Sequence, residues 1–264
     1  MVPGMCLIAF AWQRHPRWPL LVAANRDEFH ARPTRSATWW RHPRGLFAGL
    51  DERGGGSWCG VDRRGRFAAV TNVRGSTPAA ADARSRGLLV RGYFEQTAGA
   101  AVWARHIHAE GAAFGPFNLL VGDRDALWFV SNRGPVRHRS LRPGIHAISN
   151  GHWGDHWPKT ERAQARLGEC VAADDVEPPT LFELLADTDG APDAALPDTG
   201  IGTERERFLS PLFIAGAAYG TRASTVIRRR ADDRIEFHER SFDATGTIAD
   251  RVDEHWTMTR ETPT

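Results

Sequence analysis

The stretch "MCLIAFAWQRHPRWPLLVAANRDEF", Met5 to Phe29, decides how the rest of the chain is read. Two short apolar segments, Cys6 to Trp12 and Leu20 to Asn25, flank "QRHPRWP", whose two prolines and charges suit a reversal. Their lengths and compositions predict two buried strands of a hairpin. The polar run from Asn25 onward then ends the second strand beside the first, where Arg26 or Asp27 can lie next to Cys6.

Working outward, "GLFAGLD" (45–51), "SWCGVD" (57–62) and "RFAAVTNV" (66–73) are divided by Gly54 to Gly56 and by "DRRG". They predict an antiparallel meander. Between Ala79 and Glu110 the spacing of Leu88, Leu89, Tyr93 and Phe94, then of Trp103 and Ile107, predicts two helices joined near Thr97 to Gly99. Strands return at "FNLLVGD" (117–123), "ALWFVSN" (126–132) and "IHAISN" (145–150). A helix follows over "WPKTERAQARL" with Pro158 at its first position. A second, starting at Thr180, has capping-box spacing to Glu183. Ala186 to Glu206 reads as a long loop, and "ASTVIRRR" with "RIEFHERSF" as a last hairpin around Ala231 to Asp233. Strands, helices, strands, helices, strands is the order of an α+β domain, its sheets flanked by helices, and no linker divides residues 5–264.

With 264 residues, 41% of them apolar, the chain can bury a sizeable core. A formal net charge of +2 gives no field that favours nucleic acid or an anionic membrane. Of the 34 basic residues only Lys159 is lysine; the arginine excess, with abundant alanine, glycine and proline, fits coding bias better than phosphate binding. Three cysteines, Cys6, Cys59 and Cys170, are odd in number and far apart, so no disulfide framework follows and the cytoplasm is the expected compartment. Met5 to Trp12 is too short to span a bilayer and lacks a preceding basic segment.

Cys6 reads in two ways. It can be a small apolar residue on a buried strand. Alternatively, if translation starts at Met5 and that methionine is removed, Cys6 carries a free α-amine with a pKa of about 7.7 to 8.0, so that one residue supplies both nucleophile and base. An arginine beside it would favour the thiolate and lower its pKa, and a carboxylate could orient the amine. Arg26 and Asp27 are adjacent, however, and neighbours on a strand face opposite ways, so both enter one pocket only if the backbone turns there. Asn72 and Asn150 each close an apolar strand, where an amide can stabilise an oxyanion or simply serve a turn. Arg222 can anchor a substrate carboxylate or hold the thiolate. His152 and His156 have a metal-compatible spacing, but Gly154 and Pro158 argue for a loop and no third ligand is evident, so no metal or other cofactor is expected. Trp58, Trp128, Trp153 and Trp157 fit either a core or the wall of a pocket for a lipid or porphyrin.

Taken in order, "MCLI", "NRDEF" with "RPT", "GGGSWCGVDRRGRFAAVTNVR", "FNLLVGD", "SNGHWGDHWPKTERA" and "YGTRASTV" resemble the NRDE family, typified by transport and Golgi organisation protein 2. The resemblance runs from Met5 to about Phe242. That family in turn resembles the N-terminal nucleophile hydrolases of the cholylglycine hydrolase and penicillin V acylase group, which implies a four-layer αββα sandwich. It also implies Cys6 as nucleophile, Asn72 and Asn150 as oxyanion and amine contacts, and Arg26, Asp27 and Arg222 as pocket charges. The implied activity is that of a cysteine amidase or acyl-transferase on a small amide or acyl substrate. The alternative implied by the family's association with haem mobilisation and acyl-lipid metabolism is a non-catalytic protein that carries haem or an acyl lipid.

Overall fold

Every residue of β1 (Met5–Trp12) from Leu7 onward and the first eight residues of β2 (Leu20–Phe29) are buried, because these strands lie in a sheet covered on both faces. Their alternation is hidden in the sequence and plain in the packing. Ile8, Phe10, Trp12, Leu20, Val22 and Ala24 turn toward a second sheet, whereas Leu7, Ala9, Ala11, Leu21 and Ala23 turn toward helices. A strand buried on both sides needs apolar residues at every position, which explains the unbroken runs.

The structure is a computed structural model that describes residues 5–75 and 82–259. The second sheet is a seven-stranded meander of β3 (Thr34–Trp39), β4 (Leu46–Asp51), β5 (Cys59–Asp62), β6 (Phe67–Asn72), β7 (Phe117–Gly122), β8 (Leu127–Ser131) and β9 (His138–Ser140), paired in that order. The first sheet has the order β10-β1-β2-β11-β12-β13, with β10 (Gly144–Ile148), β11 (Tyr219–Arg229), β12 (Arg234–Phe242) and β13 (Ile248–Thr257). Helices α1 (Gly87–Glu95) and α2 (Ala100–Glu110) bury Leu89, Val90, Tyr93, Ala104 and Ile107 against the outer face of the second sheet. Helices α3 (Pro158–Ala172) and α4 (Pro178–Leu185) bury Ala163, Leu167, Leu181 and Leu185 against the outer face of the first. Helix, sheet, sheet, helix is the αββα order expected. A short α5 (Thr203–Phe208) follows the loop after α4.

Several expectations need correction. Three strands escaped the pattern: β3 and β9 are largely solvated, and β13 is an edge strand in which, among Ile248 to Thr257, only Trp256 is buried. The last hairpin is therefore a three-stranded unit. The second strand does not stop at Asn25: "NRDEF" forms its last five residues, since β11 continues the ladder as far as Phe29. Helix α4 begins two residues before Thr180, with prolines at its start, and the Thr180 hydroxyl donates to Asp175 Oδ1 at 3.0 Å instead of capping. The expected loop of Ala186 to Glu206 contains the start of α5. Ala79 to Ala81 and residues 260–264, within the expected helical region and domain, lie outside the described residues.

Candidate active site

The register of the β1–β2 hairpin sets Cys6 opposite Arg26 and Met5 opposite Asp27. Facing residues on paired strands share a side, so Cys6 and Arg26 turn toward the second sheet while Asp27 turns toward α3. The contacts agree. The Arg26 guanidinium lies 4.6 Å over the Trp58 ring, donates to Thr34 Oγ1 at 3.1 Å, and stands 3.6 Å from Asp51. Asp27 accepts a 2.7 Å hydrogen bond at Oδ1 from the Thr221 hydroxyl of β11 and lies 3.8 Å from Lys159 Nζ of α3 at Oδ2. No backbone turn brings the two charges into one pocket; they approach Cys6 from the two faces of a sheet.

Asn150, just beyond β10, reaches the backbone of Cys6. Its Oδ1 accepts from Cys6 N at 3.3 Å and from the Ser149 hydroxyl at 3.2 Å, while its Nδ2 donates to the carbonyl of Asn72 at 2.9 Å. The partners fix the amide's orientation, since the reverse would set carbonyl against carbonyl. Asn150 is thus placed as a contact to the nitrogen of Cys6, and one of its two amide N–H donors goes to Asn72. The position is braced from below: Ser149 donates to Cys6 O at 2.8 Å, Thr71 donates to Ser149 O at 2.6 Å, and Asn118 donates to Gly151 O at 2.9 Å. The end of β6 carries Asn72 beside this cluster.

Arg222 is the extra residue of a bulge between Thr221 and Ala223, and its guanidinium donates to the carbonyls of Phe29, His30 and Arg32 at 3.0 to 3.3 Å. It closes the turn that follows β2. Burial first, and the nearby Arg26 charge second, lower Arg222 from the usual arginine range. Arg86, at the start of α1, is near enough for its charge and that of the thiolate to interact, and it was not singled out from sequence.

Electrostatics correct one expectation. Burial first, and the Asp27 charge second, push the Cys6 thiol up to about 12, and the opposing pull of Arg26 does not overcome them. An arginine beside a thiol favours the thiolate, but the loss of hydration on burial acts against it and here is the larger effect. Burial also raises Asp27 to about 6, opposed by Lys159, Thr221 and Arg26.

Beside Asn150 opens a cleft of about 650 Å³ lined by Arg74, Gly151, His152, His156, Trp157 and Thr199 among others. Arg74 pairs with buried Glu206 and stacks over Trp157 at 4.9 Å. His156 lies in a loop, exposed, 2.9 Å from Glu161, and no cluster of metal-binding side chains occurs among the described residues. Cys6 is not part of the cleft's lining. Of the other tryptophans, Trp58 and Trp153 pack in the intersheet core, and Trp128 stacks on His138 at 4.8 Å. Among the described residues no helix is long and apolar enough to cross a membrane.

The fold resembles that of a conjugated bile acid hydrolase from Clostridium perfringens, solved in a mutant form. The TM-score is 0.51 over 97% of each chain, at 7% identity. Among sequences, the chain is 31% identical to the Transport and Golgi organization protein 2 homolog of Homo sapiens, covering 96% of each. It is 33% identical to the Bos taurus homolog, covering 90% of this chain and 93% of that one. The family description Transport and Golgi organisation 2 matches residues 5–244. The chain belongs to the Transport and Golgi organisation 2 family.

Proposed function

We propose that the protein is an N-terminal cysteine amidohydrolase or acyl-transferase acting on a small amide or acyl substrate, with the mature chain beginning at Cys6. The observation that carries this reading is the 3.3 Å contact from Cys6 N to Asn150 Oδ1. An asparagine carbonyl fixed on the nitrogen of a strand's cysteine is the support that a catalytic α-amine needs. The fold shared with a bile acid hydrolase is consistent with it.

In this reading the α-amine takes the Sγ proton as Sγ bonds to the substrate carbonyl carbon, which removes the need for a free thiolate in a site that disfavours one. The carbonyl oxygen becomes an oxyanion, and Asn72 is the residue assigned to it. The C–N or C–O bond then breaks as the ammonium passes its proton to the leaving group, and a thioester remains on Cys6. Water releases an acid, or a second nucleophile takes the acyl group; either step regenerates the thiol. Arg26, held by Trp58, Thr34 and Asp51, supplies positive charge on the thiol side of the strand pair, and Asp27 negative charge on the other. Arg222 acts at one remove, by fixing the turn after β2.

The test is covalent. Protein incubated with p-nitrophenyl acetate and quenched in acid should gain one acetyl mass on Cys6, with none in Cys6→Ala. An adduct of equal size in Cys6→Ala, or none in wild type, defeats the reading.

A further inference from the structure

The chain's single lysine is buried. Lys159 sits in the first turn of α3 with its side chain 3% exposed, facing an Asp27 side chain that is 0% exposed. A buried ammonium and a buried carboxylate are each costly without a partner, and their pairing is normally closed by hydrogen bonds. This pair is left open. Lys159 Nζ donates to Leu209 O at 3.2 Å and stands 3.8 Å from Asp27 Oδ2, too far for a hydrogen bond. Thr221 satisfies Oδ1, whereas Oδ2 has no hydrogen-bond partner among the described residues.

The backbone register sets where that oxygen's residue stands relative to β1. Asp27 stands opposite Met5 in the hairpin, so in a chain that begins at Cys6 the new α-amine lies beside it. We propose that Lys159 is a positioning residue: it holds Asp27 as an anion from a distance set by the Leu209 carbonyl, and so leaves Oδ2 open to receive the amine of Cys6. The proposal rests on the reading of Cys6 as the N-terminal nucleophile. It also explains the residue type. Arginine, used at the other 33 basic positions, carries five donors in a planar fork that would engage Oδ2 itself, whereas lysine is a compact point charge.

The charged groups around the pair are Arg26 and Glu28 on β2, Cys6 on β1, and Arg74 after β6, itself paired with Glu206 of α5. Burial lowers Lys159 from the usual lysine range, opposed by Asp27, and raises Asp27 to about 6, opposed by Lys159. Losing the lysine charge should therefore raise Asp27 further, by about 1 to 3 pH units for a charge at this range.

A single lysine permits a direct experiment. With 13C-lysine labelling the processed protein gives one side-chain Cε resonance, and in wild type it should show an inflection near pH 6 as Asp27 titrates. That inflection should vanish in Asp27→Asn. For acetylation of Cys6 by p-nitrophenyl acetate, Lys159→Met should move the acid limb of the pH profile upward by about 1 to 3 units while keeping the plateau. A wild-type resonance with no inflection between about pH 5 and 7.5, the span around the Asp27 value, would overturn the proposal, as would an acid limb unmoved in a folded Lys159→Met protein. Absence of acetylation in wild type would instead defeat the functional reading, and the lysine resonance would still decide whether the pair is coupled.

Discussion

The two helix layers cover their sheets with different chemistry. Under α1 and α2 the outer face of the second sheet is a continuous apolar surface of Leu46, Ala68, Val70, Leu119, Val121 and Val130. Under α3 and α4 the first sheet is equally apolar at Leu7, Ala9, Leu21 and Ala23, but toward the end of β2 it carries Asn25, Asp27 and Thr221, with Lys159 above them. Asn25 shows what a structural polar residue looks like there: its Nδ2 donates to Leu185 O and Leu212 O, and its Oδ1 accepts from Ser224. Asp27, two residues on, keeps one oxygen without a hydrogen bond among the described residues.

The largest expected effects would separate the layers outright. Cys6→Ala should abolish acylation while leaving thermal unfolding nearly in place. Leu119→Ala, in the apolar layer, should cost about 2 to 5 kcal/mol of stability with acylation per folded molecule unchanged. Loss of acylation in both, measured beside a denaturant melt, would mean that the layers are not distinct in function.

Next in size is Asn72→Ala. If its amide supplies an oxyanion donor, acylation should fall roughly a hundred- to a thousandfold at unchanged stability. A loss confined to stability would make Asn72 a structural residue at the end of β6.

The space between the sheets offers a smaller test of the same comparison. Glu239 on β12 accepts from Ala37 N at 2.7 Å and from the Thr225 hydroxyl at 3.2 Å, and burial raises it to about 7, opposed by those bonds and by Arg26. Its folded value lies above its unfolded one, so the native state keeps the proton longer and stability falls as pH rises from about 4.5 to about 7. Glu239→Gln should remove that slope and be more stable above about pH 7, by an amount on the order of 2 kcal/mol. Urea melts at about pH 4 and about pH 8, on either side of that window, measure it; an unchanged slope would show that Glu239 is ionised in the fold at no cost.

The smallest effect is expected at the cleft. His152→Ala and His156→Ala should leave acylation of Cys6 unchanged, and if hemin binds with a saturable absorbance change, they and not Cys6→Ala should weaken it. A change abolished by Cys6→Ala would join the two sites.

The layered fold was legible in the sequence wherever burial on both faces produced apolar runs, as in β1, β2, β6 and β7. It was illegible in β13, whose "IADRVDEHWT" is mostly solvated and becomes a strand only because β12 offers a free edge. In the candidate site, Cys6, Arg26, Asp27 and Asn150 are neighbours by hairpin register and strand ending, both of which a sequence expresses. The bulge that carries Arg222 was not foreseen, because a bulge of one residue leaves no compositional mark. Lys159 carried a signal in being the only lysine, but its meaning depends on α3 folding over Asp27, which no local pattern encodes.

The central claim is that Cys6 acts with its own amine. Intact-mass measurement of natively produced protein that forms the acetyl adduct tests it most directly. The expected result is a mass beginning at Cys6 plus one acetyl group. Acylated protein whose mass still includes Met5 or any residue before it would contradict the claim.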